Sequence, residues 1–567
     1  MQETRIEPTD GLAYVRGDFG PEMIPDTLSS LLDRTVRKFP DRTAAVFREH
    51  SVRWTWKELQ READSLSMGL LGLGLKVGDR VAIWSPNRPE WLVAQFATAR
   101  LGLILVNINP AYRLAELEYA LNLAQCRAII SADVFKTSQY LDMIRILAPE
   151  ISDAGQEEIQ AAKLPHLKFV IRMGHGTTPG MIGFDSLLAQ GRAALDVAAL
   201  DAITGSLDPH DPVNIQFTSG TTGSAKGATL THYAVCNNAR FSSRELRFTE
   251  HDVLCIPIPL YHAFGMVLAG LLCVATGAAM VFPGEAFDPV ATMETIQAER
   301  CTAMHCVPMM LISILGHPRF GEFDLTSLRT GMMAGAPCPV ETMKRVVNDM
   351  HMREVTIAFG MTETSGAIFQ SGNSDSLDRR VSTVGRILPH LEAKVVDVDG
   401  TTLPVGEKGE LCVRGYTVLK GYWNDAARTK QAIVDGWLHT GDLATIDAQG
   451  YCNIVGRAKD MLIRGGENVY PREVEEFLFR HPKVQTVQVF GVPDERFGEE
   501  VCAWIILKPG NEATAEEIRE FCQDQISHYK IPRYVRFVSE MPMTITGKVQ
   551  KFVMREAMVK ELQAKAP

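Results

Sequence analysis

Short apolar runs alternate with amphipathic stretches through the N-terminal part of the chain. "TAAVF", "WKELQREADSLSMGLLGLG", "RVAIWS", "RPEWLVAQFATARLG" and "ILVNI" follow one another, and their periodicities predict strand, helix, strand, helix, strand. The order recurs from Asp252 to Met333 through "VLCIPIP", a glycine-rich apolar stretch, "AAMVF", "ATMETIQAER" and "TAMHCVP". Alternation of this kind implies parallel sheets covered by helices. Beyond about Leu388 the pattern changes. "EAKVVD", "GELCVRG" and "GYCNIVGR" read as short strands joined by Gly/Asp turns, a barrel-like segment. After "GRAKD" a compact mixed unit begins, with "REVEEFLFRHP", "VQTVQVFGV", "EEVCAWIIL" and "AEEIREFCQDQI". The expected fold class is α/β: a large N-terminal domain over residues 1–457, made of parallel-sheet subdomains plus the barrel-like segment, a joint at 458–460, and a small α+β C-terminal domain over 461–567.

One stretch could span a bilayer by length: from Val253 to Gly284 there is no Asp, Glu, Lys or Arg. Pro257, Pro259, His262 and Gly265 break it near its start, Gly270, Gly277 and Pro283 interrupt it further on, and no basic cluster flanks it. The expectation is a buried strand, loop, helix and strand, and no integral membrane span. With 567 residues, 46% apolar and 22% charged, the composition is that of a multidomain globular enzyme. A net charge of −10 argues against nucleic acid and anionic membrane as partners, so any phosphate site must be local. Eleven cysteines without a CxxC pair fit reduced thiols. The N-terminus has no apolar leader and "ELQAKAP" is not a peroxisomal tripeptide, so the expected location is cytoplasmic. The oligomeric state stays open, with a homodimer among the alternatives.

Candidate chemistry starts at "FTSGTTGSAKGATLTH", Phe217 to His232. Gly220, Gly223 and Gly227 let backbone N–H groups converge on an anion, the hydroxyls of Thr218, Ser219, Thr221, Thr222 and Ser224 can follow its oxygens, and Lys226 supplies charge. It is not a P-loop, because Gly220 and Gly223 are three apart and Lys226 three further on. Alone, such a stretch could equally be a surface turn.

Four further motifs follow it in order: "AFGMTET" from Ala358, "GWLHTGDL" from Gly436, "GRAKDMLIRGGENVYPREVEE" from Gly456 and "TITGKVQK" from Thr544. Together the five resemble the acyl-adenylate-forming (AMP-binding) superfamily over nearly the whole chain. "PLYHAFGM", "RTGMMAGAPCP" and "RGGENVYPREVEEFL" look most like bacterial medium-chain fatty acyl-CoA synthetases. The resemblance implies ATP, Mg²⁺ and CoA as cofactors and a carboxylic acid as the small-molecule partner. The acid would attack the α-phosphorus of ATP and expel pyrophosphate, and CoA would then displace AMP.

By the same resemblance, the loop Thr218, Ser219, Gly220, Thr221, Thr222, Gly223 and Lys226 holds the leaving pyrophosphate. Lys548 reaches the α-phosphate and the acyl carboxylate, Thr362 bonds the α-phosphate, and Glu363 is the metal ligand. Asp442 grips the ribose hydroxyls with help from Arg457, and adenine stacks between Gly335, Ala336, Pro337 and Phe359. Lys459 would absorb the backbone change when a mobile C-terminal domain turns, bringing Gly465 and Gly466 to the pantetheine channel. Electrostatics agrees: two anions meeting at phosphorus need preorganised cations. His262 could orient the acyl carboxylate or be a satisfied core histidine. Phe264, Gly265, His305, Val307, Met310, Met332 and Met333 would line the acyl pocket, a set without Lys or Arg that favours an aliphatic monocarboxylic acid. His305 and Cys306 in "CTAMHC" have no partner pair at zinc spacing, and a metal reading there is rejected.

Two positions depart from the family's pattern. Ala225 stands where many relatives carry proline, leaving the loop more flexible, and Phe359 replaces a common tyrosine. Competing functions are a carrier-protein phosphopantetheine loading enzyme, a non-catalytic nucleotide-binding scaffold and a luciferase-like oxygenase.

Overall fold

The strands Ala279–Phe282, Ala303–Cys306 and Thr330–Met333 are buried at every position, as strands covered on both faces must be. They belong to a nine-stranded sheet in a computed structural model that describes residues 7–565 except 9, 155–157, 219–224, 337–338, 466, 524 and 545–546. The sheet runs Arg386–Ile387, Phe369–Gln370, Glu354–Phe359, Thr330–Met333, Ala303–Cys306, Val253–Cys255, Ala279–Phe282, Thr43–Phe47, Val52–Thr55, parallel in its centre and antiparallel at both ends. A second sheet of eight strands contains the predicted Arg80–Trp84 and Ile104–Asn107, followed by Pro212–Thr218, Lys226–Thr231 and Gly421–Tyr422. The strand-helix alternation is therefore divided between two sheets, with Thr43–Phe47 joining one and Arg80–Trp84 and Ile104–Asn107 the other. The barrel-like segment is a six-stranded antiparallel sheet that includes Leu391–Val396, Gly409–Gly415, Trp437–Ile446 and Cys452–Arg457.

Local chemistry sets the helix ends. Trp56–Gly72 starts at a capping box in which Thr55 and Glu58 satisfy each other's backbone N–H, and Pro89–Arg100 starts with proline at its first turn. The uncharged run from Val253 folds as expected into strand, turn, helix and strand, all packed inside the domain. Its middle, Met266–Leu271, is wound as a π-helix, which periodicity alone does not announce. Among the described residues no helix is long and apolar enough to cross a membrane. The ten described cysteines are buried and free of disulfides.

Apolar side chains form one large core from Ala13 to Ile454 and two small ones beginning at Leu462. Between them Ala458–Asp460 make a single 3-10 turn. The C-terminal unit is a five-stranded sheet, dominated by the hairpin Val484–Asp494 with Gly498–Leu507 and covered by Pro471–Leu478, Ala515–Cys522 and Lys551–Lys565.

Candidate active site

Thr218 and Phe359 stand at the carboxyl ends of strands in the two large sheets, with Gly335, Ala336, Thr362 and Glu363 just beyond such ends, the place where open α/β sheets bind ligands. Thr218 ends Pro212–Thr218 and faces Lys226 across the strand pair. Ser219, Gly220, Thr221, Thr222 and Gly223 lie outside the described residues, as do Pro337 and Gly466. Gly335 and Ala336 bend away, exposed, after Thr330–Met333. Phe359 closes Glu354–Phe359, and Thr362–Thr364 form a 3-10 turn directly after it. In that turn Glu363 is buried, its Oε1 accepts the Tyr422 hydroxyl at 3.0 Å, and its Oε2 has no hydrogen bond among the described residues.

Asp442 and Arg457 are paired residues on adjacent strands, with Arg457 Nε donating to Asp442 Oδ1 at 3.3 Å. Burial pushes the Asp442 carboxyl up from its ordinary range, while Arg457, Lys459 and Lys548 hold it down. Its turn is fixed from below by Glu410, whose Oε1 accepts the Gly441 N–H at 3.1 Å and whose Oε2 lies 2.8 Å from His439 Nδ1. With Cys412 these make the one group of three metal-ligand side chains among the described residues, away from the rejected "CTAMHC" run. His305 in that run is fully buried and stacked on Phe264, with ring centroids 5.9 Å apart.

The decisive placement is Lys548, which comes from the C-terminal unit. Thr544 shapes its turn, with its N–H donating to the Lys548 carbonyl at 2.8 Å and its carbonyl accepting the Gly547 N–H at 2.9 Å. Gly547 has φ +75°, and a Cβ there would stand 2.8 Å from Val307 Cγ2, so only glycine lets the turn dock. Lys548 Cε reaches within 3.7 Å of where a Gly335 Cβ would be. Burial and Arg457 lower the Lys548 pKa from 10.5, while Asp442 and Glu363 oppose that shift. One ammonium therefore lies against Gly335 and within electrostatic reach of Asp442 and Glu363.

His262 faces the same ammonium. Burial and then Lys548 push its pKa down to about 3, so it is neutral. Its Nδ1 accepts the Phe264 N–H at 3.2 Å, which places the ring proton on Nε2 as a donor. Phe264, Gly265, Val307, Met310, Met332 and Met333 are all buried nearby in the core. Gly465 stands apart from this cluster. It sits with φ +59° at the tip of the hairpin Leu462–Arg464 with Glu467–Val469, and its N–H donates to Phe497 at 2.8 Å within the C-terminal unit.

Two contributors went unread in the sequence. Tyr422 sits in "LKGYWN" with no periodic or motif signal of its own, and Glu410 in "GELCVRG" reads as an ordinary strand residue.

Fold and site together define an ATP-dependent, AMP-forming acid–thiol ligase. The chain belongs to the AMP-binding enzyme family: residues 32–423 match the AMP-binding enzyme model, and 473–548 match the AMP-binding enzyme C-terminal domain. It is 46% identical over 94% of its length, and 97% of the relative's, to YngI of Bacillus subtilis (strain 168), provisionally named an acyl-CoA synthetase. It is 44% identical to the mitochondrial medium-chain acyl-CoA ligase ACSF2 of Danio rerio, over 98% of this chain and 92% of that one. Among solved structures, the anthranilate CoA ligase AuaEII in complex with anthranoyl-AMP superposes with a TM-score of 0.85 at 28% identity, covering 96% of this chain and 99% of that one.

Proposed function

We propose that this chain activates a medium-chain aliphatic monocarboxylic acid as its acyl-AMP and passes the acyl group to CoA. The observation that carries the reading is the enclosure of Lys548 beside Glu363, Asp442 and Gly335. A carboxylate oxygen attacks the α-phosphorus, the bond to the bridging oxygen breaks, and pyrophosphate leaves with the electron pair. Lys548 neutralises charge on the attacked phosphoryl group, and Thr362 donates to it. Lys226 follows the pyrophosphate, with the loop Thr218 to Gly223. His262 Nε2–H donates to the acid's carboxylate and holds it for attack.

Glu363 fits a divalent cation: a buried hard oxygen donor with one oxygen fixed and the other unbonded among the described residues. When bound, Mg²⁺ supplies electrostatic stabilisation of the phosphate oxygens. Asp442 and Arg457 hold the ribose, and Gly335, Ala336, Pro337 and Phe359 hold the adenine. In the second step a thiolate attacks the acyl carbon and AMP departs, after Ala458, Lys459 and Asp460 reorient the C-terminal unit and bring Gly465 and Gly466 to the cleft. The apolar lining, without Lys or Arg among the seven named positions, supports an aliphatic substrate. The buried thiols, outside any disulfide among the described residues, support a reducing compartment such as the cytoplasm.

Coupled AMP release across straight-chain, branched and aromatic acids, with and without free CoA, tests the reading. The expected result is CoA-dependent turnover peaking at medium straight chains. A peak at aromatic acids sinks the substrate class, and turnover only with a phosphopantetheinylated carrier protein sinks the acceptor.

A further inference from the structure

The segment Gly415 to Trp423 carries none of the five motifs, yet it joins two parts of the phosphate region. On one side Ser365 Oγ donates to the Thr417 carbonyl at 2.9 Å, and the Leu419 N–H donates to the Glu363 carbonyl at 2.8 Å. On the other, the Lys420 N–H donates to Thr229 at 2.9 Å and the Trp423 N–H to Gly227 at 2.7 Å. Between these anchors lies Tyr422, buried and opposite Ala228 in the strand register. Its hydroxyl donates to Glu363 Oε1, and its ring centroid is 4.9 Å from Lys226 Nζ.

We infer that Tyr422 is a positioning residue for the adenylation half-reaction. Its hydroxyl fixes the Glu363 carboxylate through Oε1, so that Oε2 would be left for a divalent cation, and its ring steadies Lys226 for the departing pyrophosphate. Hydrogen bonds to a carboxylate are short and orienting, and an aromatic face attracts an ammonium. One side chain therefore sets the relative position of the negative and positive groups that meet the triphosphate. The inference rests on the acyl-adenylate reading of this site for the identity of the reaction.

The test is a Mn²⁺ titration read by electron paramagnetic resonance, with a non-hydrolysable ATP analogue present, on wild type, Y422F, E363Q and the double variant. Y422F keeps the ring and the volume and removes the hydroxyl. The half-saturating Mn²⁺ concentration should rise about tenfold in Y422F and show no added rise in the E363Q background. CoA acylation from supplied acyl-AMP should stay within about twofold, because neither group acts in that step. An unchanged titration in Y422F overturns the inference, and so does an equal further loss in the E363Q background. Loss of fold by Y422F, read by circular dichroism, would also contradict it, since a positioning role leaves the core intact. Should wild type activate no acid at all, the functional reading falls, and the Mn²⁺ comparison still decides the role of Tyr422.

Discussion

Two glycine turns on the C-terminal unit invite comparison. The turn ending at Gly547 and Lys548 is docked against Val307 and delivers a cation to Gly335, Glu363 and Asp442. The hairpin tip at Gly465 carries no comparable load, and its N–H stays with Phe497 of its own unit. Both turns carry glycine at positive φ, and of the two the Gly547 turn is the one that meets Val307 and Gly335. On the function proposed above, this orientation of the small unit is the one for adenylate formation, with Lys548 beside Gly335 and the Gly465 tip held within its own unit. Lys408 lies 3.6 Å from the Tyr470 ring centroid, Arg472 donates to the Ile454 carbonyl, and a cleft of 1310 Å³ lies alongside them.

The comparison breaks first at Lys548. K548A should lower single-turnover pyrophosphate release by about 10²–10³-fold, as removal of a preorganised charge stabiliser does, and leave CoA acylation from supplied acyl-AMP within a few fold. Equal losses in both half-reactions would take Lys548 out of its proposed role. Next is the turn that delivers it. G547A adds a Cβ 2.8 Å from Val307 Cγ2 at φ +75°, strain of about 1–3 kcal/mol, so adenylation should fall roughly tenfold or more. G547A/V307A should recover part of that loss by relieving the contact, and no recovery would mean that the backbone conformation alone decides.

The smallest effect is on pH. The Lys548 pKa is lowered from 10.5 in the fold, so the ammonium is lost at a pH below the ordinary lysine range and kcat/KM for adenylation should fall along that limb. The sign for stability is opposite. Enclosing the ammonium costs stability below the folded pKa, and the cost is relieved as pH rises toward 10.5. In K548M both the activity limb and this part of the stability profile should flatten, as read by a pH–rate profile and by urea unfolding at each pH.

Much of this was legible in the sequence. Strand and helix periods between Thr43 and Met333 announced parallel sheets, because fully covered strands need apolar residues at every position. The motif resemblance put Lys548, Glu363, Asp442 and Gly335 on one list, and the fold brings Lys548 against Gly335 and within electrostatic reach of the two carboxylates. The π-helix at Met266–Leu271 was not legible, since a run that is apolar all round carries no moment to time its turns. Tyr422 was missed for a different reason. Its contacts with Glu363 and Lys226 join residues from separate strands and a turn, and no local pattern encodes such a meeting. Division of the strands between two sheets, and the orientation of the C-terminal unit, depend likewise on long-range contacts such as Gly547 with Val307.

The most direct test of the account is Lys459→Pro. Lys459 lies in the 3-10 turn Ala458–Asp460, where φ is about −50 to −70°, the value that proline fixes. The substitution should therefore hold the orientation that places Lys548 over the site. Two rates are measured on the same preparation: pyrophosphate release in a single turnover with acid and ATP, and CoA acylation from supplied acyl-AMP. The account predicts that pyrophosphate release is retained within a few fold while CoA acylation falls by well over about tenfold. Parallel rates in the two assays, whether both preserved or both lost, would contradict a site that is completed and dismantled by rotation at this joint.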